Sequence, residues 1–536
     1  MPIAFTGENE IFPSCSFPSF CKIPILPDTI SLCLVQVTPT IYSSSPATID
    51  TINSGGLTHC FPDSVTEHLS GSIKSVQILF DINLDCYTFS LLHIKKLQDQ
   101  VLTHNFDIVI VGGGILGTSL SYFLSFLNKS KDIVVIEQAH KVAFHTSGRN
   151  TGKVHAPYLY NPEKKKLFAN AAFHGYNMWE EYAKLHELPF KKDGVIEVAL
   201  DNKGTKVLEK YLKWGKQNGL EEKDIEILDK EQIKEKEPEI KCESALCVYR
   251  DASTDYAIFT NSIMKDSEKN GTKFLLDTKV TGIKKEKDKW KITLNNQHEI
   301  FSKFIINAAG GEAVDIAHSI GVARNFTDVH FRGEYWKAPK EYHNLTKTSV
   351  YSVPDFPDYP FLDPHWIIRV DGTCEIGPNA VPVFSPYGYD KSENIKEFIP
   401  KMLEMLGSGA RKAIFDRQFQ QLAINEIQSS MSKSAMIDRV KRFLPKIEAE
   451  KITEKGTAGI RSSIIDDNGK FVPDVILIDD ESSFHILNYN SPGATGALPF
   501  SAHVINNLNE SGVLENQNFE AQCGPWRFDK IIESLN

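Results

Sequence analysis

The sequence predicts an α/β fold, in which a Rossmann-like, parallel nucleotide-binding sheet is joined to a second sheet of antiparallel strands. Three observations lead to this class. An apolar run ends in a glycine-rich turn and is followed by a helical pattern and a second apolar run. Another apolar run ends in small residues much later in the chain. Strand-like segments rich in aromatic residues and proline fill residues 326–385.

The first apolar run, Ile108 to Val111, predicts a buried parallel strand, because it is continuous rather than alternating. Gly112, Gly114 and Gly117 follow in the spacing G-x-G-x-x-G, and a helical pattern begins at once. In a dinucleotide site the first glycine makes the tight turn, the second admits a pyrophosphate, and the third lets the helix pack against the sheet.

The second apolar run, Ile133 to Ile136, ends at Glu137. A carboxylate at this strand tip would accept hydrogen bonds from the adenosine ribose, and it argues against the 2′-phosphate of NADP. A glycine-rich turn alone is a weak signal. Strand, glycines, helix, second strand and terminal acid together predict a bound dinucleotide.

Length and composition limit the class of protein. With 536 residues the chain can hold two or three domains and a large core. The net charge of −10 disfavours nucleic-acid partners, although a few arginines could still bind a small anionic substrate. The nine cysteines show no metal-ligand spacing, so we predict no metal site and no disulfide framework, and we expect a reducing, cytoplasmic location.

Residues 1–104 differ from the rest of the chain. They contain no arginine and five of the nine cysteines. They match neither a transit peptide nor a secretory signal. We expect an atypical N-terminal extension that is either poorly ordered or not translated in the cell, and the abrupt change in composition slightly favours the second interpretation.

Periodicity and composition assign the remaining segments. In order they predict a small-residue loop at 138–160, a helix at 168–185, a strand at 194–200, charged surface helices at 209–238, a helix at 261–269, strands at 273–276 and 280–284, a hairpin at 290–301, an apolar strand from 304, an antiparallel sheet within 326–385 and charged helices at 395–447. Two further glycine turns, at 310–311 and 491–496, precede helical patterns and would point helix amides at a ligand; for the first, a plain strand-to-helix turn is the alternative.

The order of these motifs resembles the FAD-dependent oxidoreductases of the D-amino-acid oxidase and glycerol-3-phosphate dehydrogenase superfamily, and within it most closely the L-2-hydroxyglutarate dehydrogenases and oxidases. The similarity covers about 105 to 510 and departs from the family at Lys153 and Pro157. It is carried by the motifs Ser147-Gly-Arg-Asn-Thr-Gly-Lys-Val-His155, Asn307-Ala-Ala-Gly310, Phe331-Arg-Gly-Glu-Tyr335, Ile376-Gly-Pro-Asn-Ala-Val381, Ala458-Gly-Ile-Arg461 and Ser491-Pro-Gly-Ala-Thr495.

The resemblance implies an FAD-binding domain of the glutathione-reductase type, built from residues 105–190, 245–325 and 455–515. A substrate domain would comprise 191–244 and 326–454. The residues expected at the cofactor are Gly112, Gly114, Gly117, Glu137, Ser147, Asn150, Val280, Gly310, Pro492, Gly493, Ala494 and Thr495.

Oxidation of a 2-hydroxy acid requires a carboxylate clamp, a base for the hydroxyl proton, and a C2 hydrogen directed at flavin N5. Arg332 and Arg461 are candidates for the clamp, because a guanidinium binds a carboxylate with two parallel hydrogen bonds; buried structural salt bridges are the alternative. His155 is the candidate base, or else a loop histidine that only hydrogen-bonds the flavin. Tyr335 could hydrogen-bond substrate or flavin, or belong to the core.

The sequence therefore predicts flavin-dependent oxidation of a small 2-hydroxy acid, similar to L-2-hydroxyglutarate, to the 2-oxo acid. The alternatives are an amine or amino-acid oxidase, a glycerol-3-phosphate-type dehydrogenase, or a flavin-binding protein without turnover. The electron acceptor would be oxygen, a quinone or a partner protein. A quinone would require at least a peripheral membrane contact.

Overall fold

The computed structural model describes residues 105–127, 131–354, 363–389, 391–490, 493–514 and 518–535. The predicted N-terminal extension and the candidate cofactor residue Pro492 lie outside the described residues.

Within this part of the chain the strands are short and come from every region of the sequence. They are β1 Asn105–Val111, β2 Ile133–Ile136, β3 Lys153–Val154, β4 Phe190–Lys191, β5 Val195–Ala199, β6 Ile225–Asp229, β7 Ser244–Val248, β8 Ala252–Thr254, β9 Lys273–Leu275, β10 Val280–Glu286, β11 Lys289–Leu294, β12 Glu299–Asn307, β13 Phe326–Gly333, β14 Trp336–Lys337, β15 Ser349–Ser352, β16 His365–Ile368, β17 Cys374–Gly377, β18 Val381–Val383, β19 Glu454–Lys455, β20 Gly459–Asp466, β21 Ile476–Asp480, β22 Ser483–Leu487, β23 Gln522–Cys523 and β24 Trp526–Arg527.

The described α-helices are distributed along the chain, and five of them lie between residues 391 and 441. They are α1 Ile115–Leu127, α2 Lys166–His186, α3 Asn202–Gln217, α4 Lys230–Lys236, α5 Tyr256–Lys269, α6 Ala313–Ile320, α7 Lys391–Lys396, α8 Phe398–Gly407, α9 Ala410–Ile414, α10 Arg417–Met431, α11 Lys433–Lys441, α12 Gly493–Glu510 and α13 Phe528–Leu535. None of the described helices is both long and apolar enough to cross a lipid bilayer.

The first sheet has the order β10-β11-β12-β1-β2-β9, with β22 and then β21 added beside β12. Strand β1 is parallel to both neighbours, and Val111 lies opposite Ile136 on one side and Asn307 on the other. Because the carboxyl ends of parallel strands meet at one edge, the glycine turn, Glu137 and the segment after Asn307 converge there. This arrangement confirms the predicted α/β class and its Rossmann-like sheet.

Both faces of β1 are covered, which explains its continuous apolar sequence. Ile108 and Ile110 pack into a core with α1, α2, α5 and α12. Val109 and Val111 pack on the other face with residues of β2 and β11, including Trp290 and Ile292.

Strand β12 joins two segments that the sequence predicts separately, an arm of the 290–301 hairpin and the apolar strand from 304. Its first half pairs antiparallel with β11, and its second half pairs parallel with β1. Burial changes accordingly, from alternating to continuous. The two patterns therefore belong to one strand whose environment changes along its length.

The second sheet has the order β19-β14-β17-β16-β15-β5-β7-β6, and its pairs are antiparallel except for β5 with β15. The sequence predicts surface helices throughout 209–238, and strand β6 corrects this prediction. The backbone of β6 pairs with that of β7 at the edge of the sheet. Strand β7 lies in this sheet although it falls within 245–325, which the sequence assigns to the FAD domain. The remaining domain bounds stay a prediction.

Candidate active site

An open cleft follows the carboxyl edge of the first sheet. With its mouth and the adjoining open solvent included, the empty space is about 1690 Å³. Most of the predicted cofactor residues line it, namely Gly112, Gly114, Glu137, Ser147, Asn150, Val280, Gly310, Gly493 and Ala494. His155 also lines the cleft. These residues, which lie far apart in the sequence, therefore line one common cleft.

Each glycine of the turn has its own steric reason. Gly112 has a φ of +109°, and a Cβ there would overlap the Ala308 carbonyl. A Cβ on Gly114 would lie 3.1 Å from Ser147 Oγ. Gly117 does not line the cleft; a Cβ on it would overlap the Gly112 carbonyl, so its role is to let α1 start directly behind the turn.

We expect Gly117→Ala to lower both FAD content and thermal stability. The added methyl group must displace the backbone of the turn, which costs about 1–3 kcal/mol and moves the amides that the sequence predicts at a pyrophosphate. Flavin absorbance per protein and thermal unfolding measure the two effects. Gly407→Ala is the matched control, since a Cβ on Gly407 meets no atom within 4 Å and should change neither quantity. A Gly117→Ala protein with parental FAD content would contradict the proposed packing.

Glu137 ties the tip of β2 to the glycine turn. Its Oε2 accepts a hydrogen bond from the Gly113 N–H at 2.8 Å, and its Oε1 accepts one from Ala139 N–H at 2.8 Å. Burial raises the pKa of this carboxyl, while the backbone donors lower it. Val280 is on the same side of the cleft, because the Thr278 N–H donates to the Glu137 carbonyl. Each carboxylate oxygen keeps acceptor capacity for a ribose hydroxyl.

The loop after β2 folds over the start of α1. Ser147 Oγ accepts a hydrogen bond from the Ile115 N–H at 2.9 Å. Asn150 Nδ2 donates to the Ser147 carbonyl at 2.8 Å, and its Oδ1 accepts from the Gly152 N–H at 2.8 Å. Ser147 and Asn150 thus order this loop beside the glycine turn. Gly310, with a φ of +59°, has no atom within 4 Å of an added Cβ and leaves the facing wall open.

His155 is held by two contacts. Its backbone N–H donates to Thr495 Oγ1 at 3.0 Å, and its Nδ1 lies 3.1 Å from Asp251 Oδ2. Thr495 is in the first turn of α12, where Gly493 and Ala494 line the cleft. The structure therefore brings the predicted base and the C-terminal glycine turn together.

Arg461 lies on β20 between Ile460 and Ser462, which line the cleft, but Arg461 itself is not one of the lining residues. Burial lowers its pKa, and the nearby Tyr335 and Tyr160 oppose this. The pKa of His365 falls to about 3, mainly through burial and further through His155 and Arg461. His365 therefore stands close to both the predicted base and the predicted clamp.

Tyr335 is buried, which raises its pKa to about 12, and Arg369 and Arg461 lower it. The ring lies 5.7 Å from the Arg369 guanidinium. Tyr335 thus keeps its hydroxyl proton beside Arg461.

Arg332 lies elsewhere. Its guanidinium donates to the Gly388 carbonyl at 2.9 Å and to Glu334 Oε1 at 2.9 Å. Asn379 Nδ2 donates to Glu334 Oε2 at 3.0 Å. Arg332 and Glu334 line a second cleft together with Tyr335. Arg332 therefore forms a salt bridge, which is the alternative that the sequence leaves open. The structure does not group Arg332 with His155.

The sequence analysis does not identify Asp251, Tyr351 or Tyr160 as site residues. Asp251 contacts His155 only because β3 and β8 pair, and no local spacing predicts that pairing. The ring of Tyr351 lies 5.9 Å from the His155 ring and 4.1 Å from that of His365. Tyr160 is buried near Arg461, and its hydroxyl has no partner among the described residues.

Solved structures share this fold. The L-α-glycerophosphate oxidase of Mycoplasma pneumoniae, solved with FAD bound, has a TM-score of 0.59 at 22% identity and covers 76% of this chain and 95% of its own. Glycine oxidase of Geobacillus kaustophilus has a TM-score of 0.56 at 13% identity, over 80% of this chain and 99% of its own.

Sequence comparisons identify the family. The L-2-hydroxyglutarate dehydrogenase of Indibacter alkaliphilus is 29% identical over 75% of this chain and 98% of its own length. The human mitochondrial L-2-hydroxyglutarate dehydrogenase is 28% identical over 76% of this chain and 89% of its own. The family model described as FAD dependent oxidoreductase (DAO) matches residues 107–506, which confirms the predicted cofactor. The chain therefore belongs to the family of FAD-dependent oxidoreductases.

Proposed function

We propose that this protein oxidises a small L-2-hydroxy acid, with L-2-hydroxyglutarate as the first candidate, to the 2-oxo acid. The observation that carries the proposal is the grouping of His365 and Arg461 with His155, which lines the cleft that follows the predicted dinucleotide motif. The relatives named L-2-hydroxyglutarate dehydrogenase support the choice of acid.

The proposed roles follow from the chemistry of each side chain. His155 takes the proton of the C2 hydroxyl, and Arg461 binds the C1 carboxylate. Tyr335, which stays protonated, donates a hydrogen bond beside Arg461. FAD, when bound, supplies the acceptor for the hydride from C2. Arg332 has no role in this scheme, since its guanidinium is engaged by Glu334.

We further propose how the residues of the cleft hold FAD. Glu137 would bind the adenosine ribose, and the backbone at Val280 would lie against the adenine. The amides behind Gly112 and Gly114 would face the pyrophosphate. Gly310 and the residues at the start of α12 would approach the ribityl chain and the ring. The Cβ space at Gly310 and the cleft position of Ala494 support this placement.

An anaerobic reduction screen tests the proposed function. L-2-hydroxyglutarate should bleach the flavin of the FAD-loaded protein and yield one 2-oxoglutarate per flavin. D-2-hydroxyglutarate, L-glutamate, glycine and glycerol 3-phosphate should leave the spectrum unchanged. D-2-hydroxyglutarate has the opposite configuration at C2. The other three compounds do not carry a hydroxyl group next to a carboxylate. Bleaching by an amine, or by glycerol 3-phosphate alone, would instead support the alternative oxidases of the same superfamily.

Reoxidation in the same cuvette identifies the acceptor, which we propose to be oxygen, a quinone or a partner protein. Eight exposed apolar side chains on or beside α7 to α10 would suit a peripheral membrane contact if the acceptor is a quinone. These residues are Ile395, Phe398, Ile399, Leu403, Leu406, Phe415, Ile424 and Ile427. A cytoplasmic location stays a prediction, and several relatives are named mitochondrial.

A further inference from the structure

We propose that Asp251 is the positioning residue for His155: it fixes the ring with the proton on Nδ1 and stabilises the imidazolium formed during oxidation. This inference rests on the proposed function, because it assigns a partner to the proposed base. An ionised carboxylate can only accept hydrogen bonds, so the 3.1 Å contact requires a donating Nδ1. Nε2 is then left as the proton acceptor.

The backbone sets this pair. Strands β3 and β8 are antiparallel, with Lys153 opposite Ser253 and Val154 opposite Ala252. Continuing the register by one residue places His155 opposite Asp251. Directly opposite residues in such a ladder have Cβ atoms ~4.5–5.5 Å apart, which suits a histidine–carboxylate contact.

Burial makes the contact strong. Asp251 is fully buried, and its other oxygen, Oδ1, accepts a hydrogen bond from the Ala252 N–H at 3.1 Å. Among the described residues, His155 is the one side chain with a hydrogen bond to this carboxylate. Taking up the substrate proton on Nε2 would place a cation beside a buried anion, so the carboxylate lowers the free energy of the protonated ring.

The plainer explanation is that Asp251 serves as the counter-ion of the buried Lys153. The contacts of Lys153 argue against it, because its Nζ lies 3.2 Å from Asp193 Oδ1 and 2.6 Å from Ser253 Oγ. Ser253 Oγ in turn donates to Asp193 Oδ2 at 2.7 Å. Lys153 therefore has its own carboxylate, and Asp251 remains assigned to His155.

Other titratable groups surround the pair, and none of them replaces the carboxylate. They are Lys153 on β3, Tyr158 and Tyr160 after β3, Tyr176 on α2, Asp193 before β5, Tyr256 on α5, Tyr351 on β15, His365 on β16 and Arg461 on β20. Burial and the neighbouring His155 and Arg461 keep His365 neutral above about pH 4. The pKa of Tyr351 is raised by burial, so this residue is also neutral.

The test is a double-mutant cycle on the rate of flavin reduction, measured in anaerobic single turnovers. Asp251→Asn should slow reduction by about 10²–10⁴-fold, because the amide no longer imposes the Nδ1–H tautomer. In a His155→Gln background the same substitution should cost less than about threefold.

Asp193→Asn is the matched control, a neighbouring buried carboxylate that does not touch His155. In the same double-mutant cycle, it should show no coupling to His155→Gln beyond about threefold. A second readout does not depend on turnover: ¹⁵N spectra of histidine-labelled FAD protein, assigned with His155→Gln, should show His155 as the Nδ1–H tautomer and should lose this signature in Asp251→Asn.

Each outcome is decisive. Losses that multiply fully in the His155→Gln background, or an unchanged tautomer in Asp251→Asn, would overturn the positioning role while the proposed function stands. A parent flavin that no hydroxy acid reduces would overturn the proposed function and the inference with it.

Discussion

Replacing Arg461 with alanine should lower kcat/KM for the hydroxy acid by about 10²–10⁴-fold, while FAD content and the visible spectrum stay parental. Truncating one partner of a buried, hydrogen-bonded charge pair costs about 2–5 kcal/mol, here the loss of the contact to the substrate carboxylate. Most of the loss should appear in KM, since the carboxylate is held before and during oxidation. Steady-state kinetics and flavin absorbance measure the two properties.

Two further variants make this experiment sharper. Arg461→Lys keeps the charge but loses the planar fork, so its activity should fall between those of parent and alanine variant. Arg332→Ala, on the adjacent strand, should lower thermal stability through its ion pair with Glu334 and change kcat/KM by less than tenfold. Loss of FAD from Arg461→Ala would show that this arginine supports the fold instead.

His155→Gln should slow flavin reduction by about 10²–10⁴-fold, the usual contribution of a positioned general base. Glutamine keeps the backbone N–H that Thr495 accepts, so the loop and the FAD content should be retained. Anaerobic stopped-flow spectroscopy measures the rate at saturating substrate, where a binding defect no longer contributes.

His365→Gln is the control for His155. The pKa of His365 is about 3, so its ring is neutral at neutral pH and its protonation state does not change there. The control should retain the parental pH profile. Parental reduction rates in His155→Gln, across the pH range, would remove His155 as the base.

The nucleotide half of the site is readable in the sequence because its signals are local. The glycines and Glu137 lie within one strand–helix–strand unit, and each has a steric or hydrogen-bonding reason there. Asp251 could not be predicted in this way. Its contact with His155 depends on the pairing of β3 with β8, two strands far apart in the chain.

Two other differences between prediction and structure could have been recognised from neighbouring residues in the sequence. Arg332 and Glu334 are two residues apart in extended chain, so their side chains share a face and form an ion pair. In 209–238 the abundant lysine and glutamate favour helices, yet Ile225 and Ile227 alternate with polar residues as an edge strand requires. Short alternation next to charged residues therefore deserves as much weight as composition.

The position of β1 between β12 and β2 has a consequence for how the motif can be used. One neighbour, β2, follows β1 closely in the sequence, whereas the other, β12, begins only at Glu299. A fragment ending before Glu299 would leave one edge of β1 without its hydrogen-bonding partner and would lack the second wall of the cleft. We therefore expect that the glycine motif, grafted into another protein or expressed alone, would not bind a nucleotide.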